Sequence, residues 1–239
     1  MEIVEGVIPQ SRDKSFICRK HGKTMVVSFA LPRPALSWAI YNGGFHQRVS
    51  HVIIHAVDSL PVQSARQAAS RLHLRGTVIG MMIRNELDFH TITAAEEDLH
   101  ASAIVAADCS MMASTGTRPV NPIDTHEEHV YPTAFNIILV TNYHFTQEAM
   151  LEAISIATEA KSRAIHEFGL RTPSGEPATG GMADCVAVVS GHDRRYKRCC
   201  KGDTWGMLIG RASLECMRRA LIDSIAIPSR GAGAHRASK

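Results

Sequence analysis

Apolar and polar positions along the chain sort into short β-like runs and two long helical ones. Thr24 to Ala30 (TMVVSFA) is rich in β-branched residues and reads as a strand. Val52 to Val57 (VIIHAV) reads the same way, after a turn at Asn42-Gly43-Gly44. A helix follows, with Pro61 at its front, Ser59 or Asp58 as cap, and Val62, Ala65, Ala69 and Leu72 at helical spacing. Thr77 to Ile83 (TVIGMMI) and Ala103 to Ala107 (AIVAA) are continuous apolar runs that suit strands buried on both faces. Residues 114–133 are polar and proline-rich, and read as a long loop.

The clearest strand is Ala134 to Thr141 (AFNIILVT), and the clearest helix runs from Gln147 to Phe168. Thr146 is its expected N-cap, Glu148 suits the first turn, and Gly169 is the stop. A glycine- and proline-rich loop, Arg171 to Met182, leads into a strand from Asp184 to Val189. A basic stretch, Arg194 to Lys201, precedes a last helix from Trp205 to Ser224. Strands and helices interleave without a sharp change of composition. The expected fold is therefore one α/β domain over residues 1–227, a mixed β-sheet flanked by helices, with 228–239 as a disordered tail.

Composition narrows the function classes. With 239 residues, 45% hydrophobic and 21% charged, the chain has the make-up of a globular protein. Its 26 basic and 23 acidic side chains leave +3, too weak a field to point to nucleic acid or an anionic membrane. No apolar run approaches the roughly 18 residues of a membrane span. The first 13 residues carry Glu2 and Glu5 and lack a signal pattern, so the expected address is the cytoplasm. The six cysteines form no C-x-x-C pair, and most read as small core fillers.

Three glycine turns mix glycine with hydroxyl or amide groups: Asn42-Gly43-Gly44, Ala178-Thr179-Gly180-Gly181 and Lys201-Gly202-Asp203-Thr204. Each is either a tight turn or a place where backbone approaches a ligand closely. None matches a Walker A loop or G-x-G-x-x-G, so no nucleotide cofactor is expected. His126-Glu127-Glu128-His129 departs from H-E-x-x-H; a solvated loop is the default there and metal ligation the alternative. Cys199-Cys200 sits among Arg194, Arg195, Lys197, Arg198 and Lys201, surroundings that favour a thiolate. That stretch reads as a basic surface loop first and as an anion-recognition element second.

The Gln147–Phe168 helix poses a sharper question. Met150, Ala153, Ile154, Ala157, Ala160, Ala164, Ile165 and Phe168 form one apolar face, and Lys161 falls inside it. Lys161 either snorkels to the rim of the core or meets a carboxylate or ligand. Glu159 projects elsewhere, at the spacing of an i,i+4 pair with Arg163.

These places also carry a resemblance. Asn136 to Gly169, from N-I-I-L through A-T-E-A-K, is similar to the adenosylcobinamide amidohydrolases, the CbiZ family. Asn42-Gly43-Gly44 resembles that family's N-G-G, Ala178-Thr179-Gly180 with Asp184 its A-T-G-T-x-T-D, and Leu208 to Ala212 its L-I-G-R-A. The order and approximate spacing hold over about residues 35–222. The chain departs from the pattern at Gly181, Met182 and Ala183, in the segment from Ala107 to Asp124, and at Asp203-Thr204-Trp205.

The resemblance implies a hydrolase that cleaves the aminopropanol amide of adenosylcobinamide to give adenosylcobyric acid, with a corrinoid as substrate, no cofactor and no metal. For that chemistry the sequence offers Asp184 as base, Thr179 as hydroxyl and Lys161, the charge inside the apolar stripe, as candidate catalytic residues. Asn42, Gly43, Gly44, Asn136, Gly180, Gly181 and Thr204 are implied to bind substrate. Such chemistry needs an activated nucleophile, oxyanion donors and an acid for the leaving amine. Glu127 and Glu128 are further bases, and Ser110, Ser114 and Thr115 further hydroxyls. No G-x-S-x-G elbow or Ser-His-Asp order is visible. A corrinoid-binding protein without catalysis, and a metal-dependent amidase using His126 and His129, remain alternatives; a homo-oligomer stays open. A broad substrate requires a wide cleft, so the turns at 42–44 and 179–181 are expected to converge. Asp184 is the expected partner of Lys161 if its strand packs on the helix.

Overall fold

The strand that begins at Thr24 runs on to Ser37, through Pro32 and Pro34. The structure is a computed structural model and describes residues 16–57, 63–84, 88–118 and 135–226. In chain order the elements are β1 (Phe16–His21), β2 (Thr24–Ser37), β3 (Gly44–Val57), α1 (Gln63–Arg71), β4 (Thr77–Arg84), β5 (His90–Glu96), β6 (Leu99–Ala107), β7 (Met112–Ala113), β8 (Phe135–Thr141), β9 (Tyr143–Phe145), α2 (Gln147–Glu167), β10 (Gly180–Gly181), β11 (Cys185–Val189), β12 (Asp193–Tyr196) and α3 (Thr204–Ala226). The sequence-predicted cap residues Asp58 and Ser59, Pro61, the loop from 119 to 134 and the tail from 228 lie outside the described residues.

Eight strands form one mixed sheet in the order β4-β3-β2-β11-β8-β6-β5, with β1 added to β2. The β3–β4 and β8–β11 pairs are parallel and the others antiparallel. Along one edge, β2 pairs first with β1 and then, from Ala35 to Ser37, with β11. Its register against β3 shifts on either side of Arg33, where the prolines sit. Such bulges bend a strand and admit residues that cannot donate to a ladder. The strand read from sequence as Thr24 to Ala30 thus continues past both prolines to Ser37.

Alternating side chains show the layers. Val105, Ile137, Leu139, Val186 and Val188 face α2 and α3. Their neighbours Ile104, Ile138, Val140, Ala187 and Val189 pack on the other side against Met25, Val27, Val52, Ile54, Ile79 and Met81 of β2, β3 and β4. The outward set of that second layer, Val26, Ile53, Val78 and Met82, packs on Ala65, Ala68 and Ala69 of α1. One bent sheet thus supplies both inner layers between α1 and the α2–α3 pair. This is why the apolar runs at 77–83 and 103–107 are continuous: each strand is covered twice.

The bend brings the free edge of β4 across to β8. Tyr41 and Gly80 exchange backbone hydrogen bonds of 3.1 and 2.9 Å. Asn42 Nδ2 donates to the Val78 carbonyl at 2.8 Å, and Asn136 Nδ2 to the Met82 carbonyl at 2.8 Å. Carbonyls at alternate positions of β4 are therefore all satisfied from across the gap. A Cβ on Gly80 would lie 2.9 Å from Ala65 Cβ and 3.0 Å from Tyr41 Cδ1, so the close approach needs glycine there. Asn136 is 1% exposed. Asn136→Ala should lower stability by about 1–3 kcal/mol, the cost of an unsatisfied buried carbonyl. Urea unfolding would show this as a lower midpoint at unchanged slope; a midpoint like the parent's would mean the edge is held without Asn136.

Candidate active site

α2 forms where the apolar spacing places it. The Thr146 Oγ1 accepts the Ala149 N–H, Glu148 lies in the first turn, and Gly169 ends the helix at φ +63°. Its buried face holds Ala149, Met150, Ala153, Ile156, Ala157, Ala160, Ala164 and Ile165, with Lys161 among them. The Lys161 ammonium is ion-paired with Asp184 Oδ2, the two side chains being 9% and 16% exposed. Asp184 stands one residue before β11. Its other oxygen, Oδ1, accepts the Phe135 and Gly181 N–H groups, each at 2.9 Å. Lys161 therefore does not snorkel. It meets a carboxylate that three donors hold in place.

Glu159, by contrast, points to solvent. Its partner is Lys201 at 2.7 Å, while Arg163 pairs with Glu167 at 2.9 Å. The expected Glu159–Arg163 pair is absent because each residue finds a better-placed partner.

The glycine loop lies directly on the ion pair. A Cβ on Gly180 would overlap Asp184 Oδ2 and come within 2.6 Å of Lys161 Nζ. Gly180 and Gly181 form β10 against β7, in register with Ala113 and Met112. That pairing brings two hydroxyls together: Thr115 N donates to Thr179 Oγ1 at 2.9 Å, and the two Oγ1 atoms are 3.2 Å apart. Ser162, next to Lys161 on α2, donates to the Thr179 carbonyl at 3.0 Å. Ser110 instead lies at the end of β6, where its N–H bonds Asp108 Oδ1.

The other glycine turn reaches the same end of the sheet through Trp38. The Trp38 indole N–H donates to the Asp184 carbonyl at 2.7 Å. Gly43 folds back on this segment, its absent Cβ falling 2.5 Å from the Ala39 carbonyl oxygen. Asn42 and Gly44 both have positive φ, and His46 Nε2 donates to the Asn42 carbonyl at 2.9 Å. Trp38 is a residue the sequence reading passed over, although it stands four positions before the Asn-Gly-Gly turn.

Not every expected residue joins this group. Asn136, the second residue of β8, lies beside Cys185, but its side chain points between the two sheet layers toward Met82. Thr204 begins α3 next to Asp203, which accepts the Cys200 and Gly206 N–H groups. This corner meets α2 through Glu152, about two and a half turns before Lys161. A cavity of about 450 Å³ lined by His21, Lys23, Thr24, His55 and Arg71 lies against α1, away from Asp184.

The cysteines separate by burial. Glu152 takes Arg198 and the Cys199 N–H, and Glu159 holds Lys201, so α2 pairs two of the five basic residues of the stretch. Cys199 is fully buried and burial pushes its thiol up to about 12, which favours the thiol over the thiolate expected from the basic surroundings. Burial does the same to Cys18, Cys185 and Cys216, also up to about 12. His126 and His129 lie outside the described residues. Among the described ones, no group of three or more His, Cys, Asp or Glu side chains is placed to hold a metal.

Fold and site define an α/β protein with a buried ammonium–carboxylate pair under a glycine loop, flanked by two hydroxyls. The sequence model of CbiZ, adenosylcobinamide amidohydrolase, matches residues 9–228. The chain belongs to the adenosylcobinamide amidohydrolase family, and its reaction class is hydrolysis of a carbon–nitrogen amide bond. Among curated proteins, none matches the sequence. Solved structures with a similar chain course include a Pyrococcus horikoshii protein at 9% identity and TM-score 0.46, covering 88% of this chain and 83% of that one. A Burkholderia sp. β-aminopeptidase has 10% identity and TM-score 0.46, covering 87% and 80%. The L-aminopeptidase D-Ala-esterase/amidase of Ochrobactrum anthropi has 10% identity and TM-score 0.43, covering 89% and 80%. Likeness at this level bears on no residue's role.

Two outcomes follow from the geometry. Lys161→Met strands a carboxylate in a largely buried position and should cost about 3 kcal/mol or more in urea unfolding, with Lys161→Met/Asp184→Asn recovering part of it. A change under about 1 kcal/mol would mean that Lys161 only covers apolar surface. At neutral pH, well below about 12, Cys18, Cys185, Cys199 and Cys216 stay as thiols, so iodoacetamide should label exposed Cys200 first. Peptide mapping that finds Cys199 alkylated as fast as Cys200 in folded protein would contradict this.

Proposed function

We propose that the chain hydrolyses the aminopropanol amide of adenosylcobinamide to adenosylcobyric acid at the end of the sheet marked by Lys161, Asp184 and Thr179. The observation that carries this reading is the Lys161–Asp184 pair, buried in the helix face with the glycine loop lying against it. Hydrolysis breaks the carbonyl C–N bond. Water supplies the oxygen that bonds to carbon, and a proton goes to the departing aminopropanol nitrogen. In this reading the Lys161 ammonium faces the developing oxyanion and Asp184 fixes that ammonium in position. Positioned charge of this kind in a dry site is worth far more than in water. The Thr179 hydroxyl, whose oxygen accepts the Thr115 N–H and lies 3.2 Å from the Thr115 hydroxyl, orients the attacking water in this reading.

The turn at Asn42, Gly43 and Gly44, together with Gly180 and Gly181, frames the substrate end. The corrinoid class of the substrate follows from the family. Six free cysteines fit a reducing compartment such as the cytoplasm. No described helix is long and apolar enough to cross a membrane.

The test is incubation of the purified protein with adenosylcobinamide, followed by chromatography for adenosylcobyric acid. Turnover is expected, and Asp184→Asn and Thr179→Val should each lower it by about 100-fold, with Thr179→Ser losing much less. Corrinoid bound without turnover would select a binding protein on this fold. Activity abolished by a chelator and restored by zinc would select metal-dependent hydrolysis through the segment that holds His126 and His129.

A further inference from the structure

We propose that Trp38 is the stacking wall of the substrate site, its ring lying against a flat conjugated face of the corrinoid. This rests on the amidohydrolase reading above and adds a specificity residue to it. The two tryptophans differ sharply: Trp205 is 3% exposed in the core, and Trp38 is 48% exposed. An indole left half open against the Asp184 backbone is apolar area that a ligand gains by covering.

The ring is also held still. Its N–H donates to the Asp184 carbonyl at 2.7 Å, which fixes the polar edge and leaves the rest of the ring open. The backbone beneath is pinned from both sides. Ser37 pairs with Gly44 on β3 and Ala187 on β11, its Oγ accepts the Ala39 N–H at 3.0 Å, and Oγ lies 3.6 Å from Cys185 Sγ. Gly43 packs on the Trp38–Ala39 peptide from the third side. A plate fixed before binding loses little freedom on binding, which is where aromatic side chains contribute most to affinity. Its place between the Asn42–Gly44 turn and Asp184 also suits a ligand far broader than its scissile amide.

Two flat surfaces of adenosylcobinamide share this chemistry, the conjugated corrin and the adenine of the upper ligand. Steady-state kinetics with Trp38→Ala, Trp38→Leu and Trp38→Phe test the wall. Stacking on an aromatic ring corresponds to a loss of at least about fivefold in affinity on truncation to alanine. The expected result is a KM for adenosylcobinamide raised at least about fivefold in Trp38→Ala and Trp38→Leu. In both, kcat should stay within about twofold of the parent, and Trp38→Phe should restore most of the affinity. Equilibrium dialysis against cobinamide carrying cyanide in place of the adenosyl group assigns the partner. A loss for both ligands assigns the corrin, and a loss confined to the adenosyl form assigns the adenine. An unchanged KM in Trp38→Ala would overturn the proposal. So would Trp38→Phe as weak as Trp38→Ala, which would point to the bond with Asp184 rather than the ring face, or a fall in kcat at constant KM. Parent protein that neither binds nor cleaves adenosylcobinamide would remove the amidohydrolase reading and this wall with it.

Discussion

A lysine ammonium set into the alanine-rich face of a helix needs an opposite charge, because removing an ion from water costs several kcal/mol even after relaxation. Much of the site follows from that constraint. Asp184 meets Lys161 only because β11 runs directly under α2, and it stays oriented because Phe135 and Gly181 hold its second oxygen. Phe135 is the first residue of β8, and Gly181 closes the loop over the pair. One carboxylate therefore ties together two neighbouring parallel strands, the helix and the glycine loop. Burial makes the arrangement costly as a stabilising device, since apolar residues of similar volume often do as well or better. The proposed use of Lys161 as a fixed positive charge at the end of the sheet gives the pair a reason that stability alone does not.

Much of this was legible in the chain because the signals were long. Lys161 breaks a stripe of apolar positions over five turns of helix, and a break of that kind can be read without a structure. The strands at 77–84, 99–107 and 135–141 announce themselves by burial on both faces. Other elements gave weak signals. In β1 burial alternates, but the 52% exposed residue between buried Phe16 and Cys18 is the apolar Ile17, so the sequence does not show the alternation. β12, Asp193–Tyr196, opens with three exposed charges before half-buried Tyr196, and pairs with β9. Short-range spacing also misled at Glu159, because helical i,i+4 geometry competes with long side chains arriving from elsewhere, here Lys201.

The asparagines show a different limit. In sequence, Asn42 and Asn136 are amides beside motifs that bear chemistry, and a binding role is a natural expectation. In the structure both Nδ2 groups donate to carbonyls of one strand edge, Val78 and Met82. These contacts join residues 36 and 54 positions apart, and only the bend in β2 creates them. No local pattern encodes such a partner, since an amide donor reads the same whether it faces a ligand or a strand edge. The bend depends on two prolines that, read locally, argue against a strand at all.

The same distinction applies to the glycines. A glycine turn next to a site invites the idea of backbone cradling a ligand, yet Gly43 and Gly180 are each glycine because protein stands where a Cβ would go. At Gly43 the occupant is the Ala39 carbonyl, at Gly180 the ion pair itself. Close packing of protein on protein uses up the space that a cradle would offer. What these glycines do for the site is indirect. By lying flat they let Trp38 and the Lys161–Asp184 pair approach one another at a single end of the sheet. In the proposed site, the ammonium, the threonine hydroxyls and the indole are the side chains offered to a substrate, while the glycines shape the frame around them.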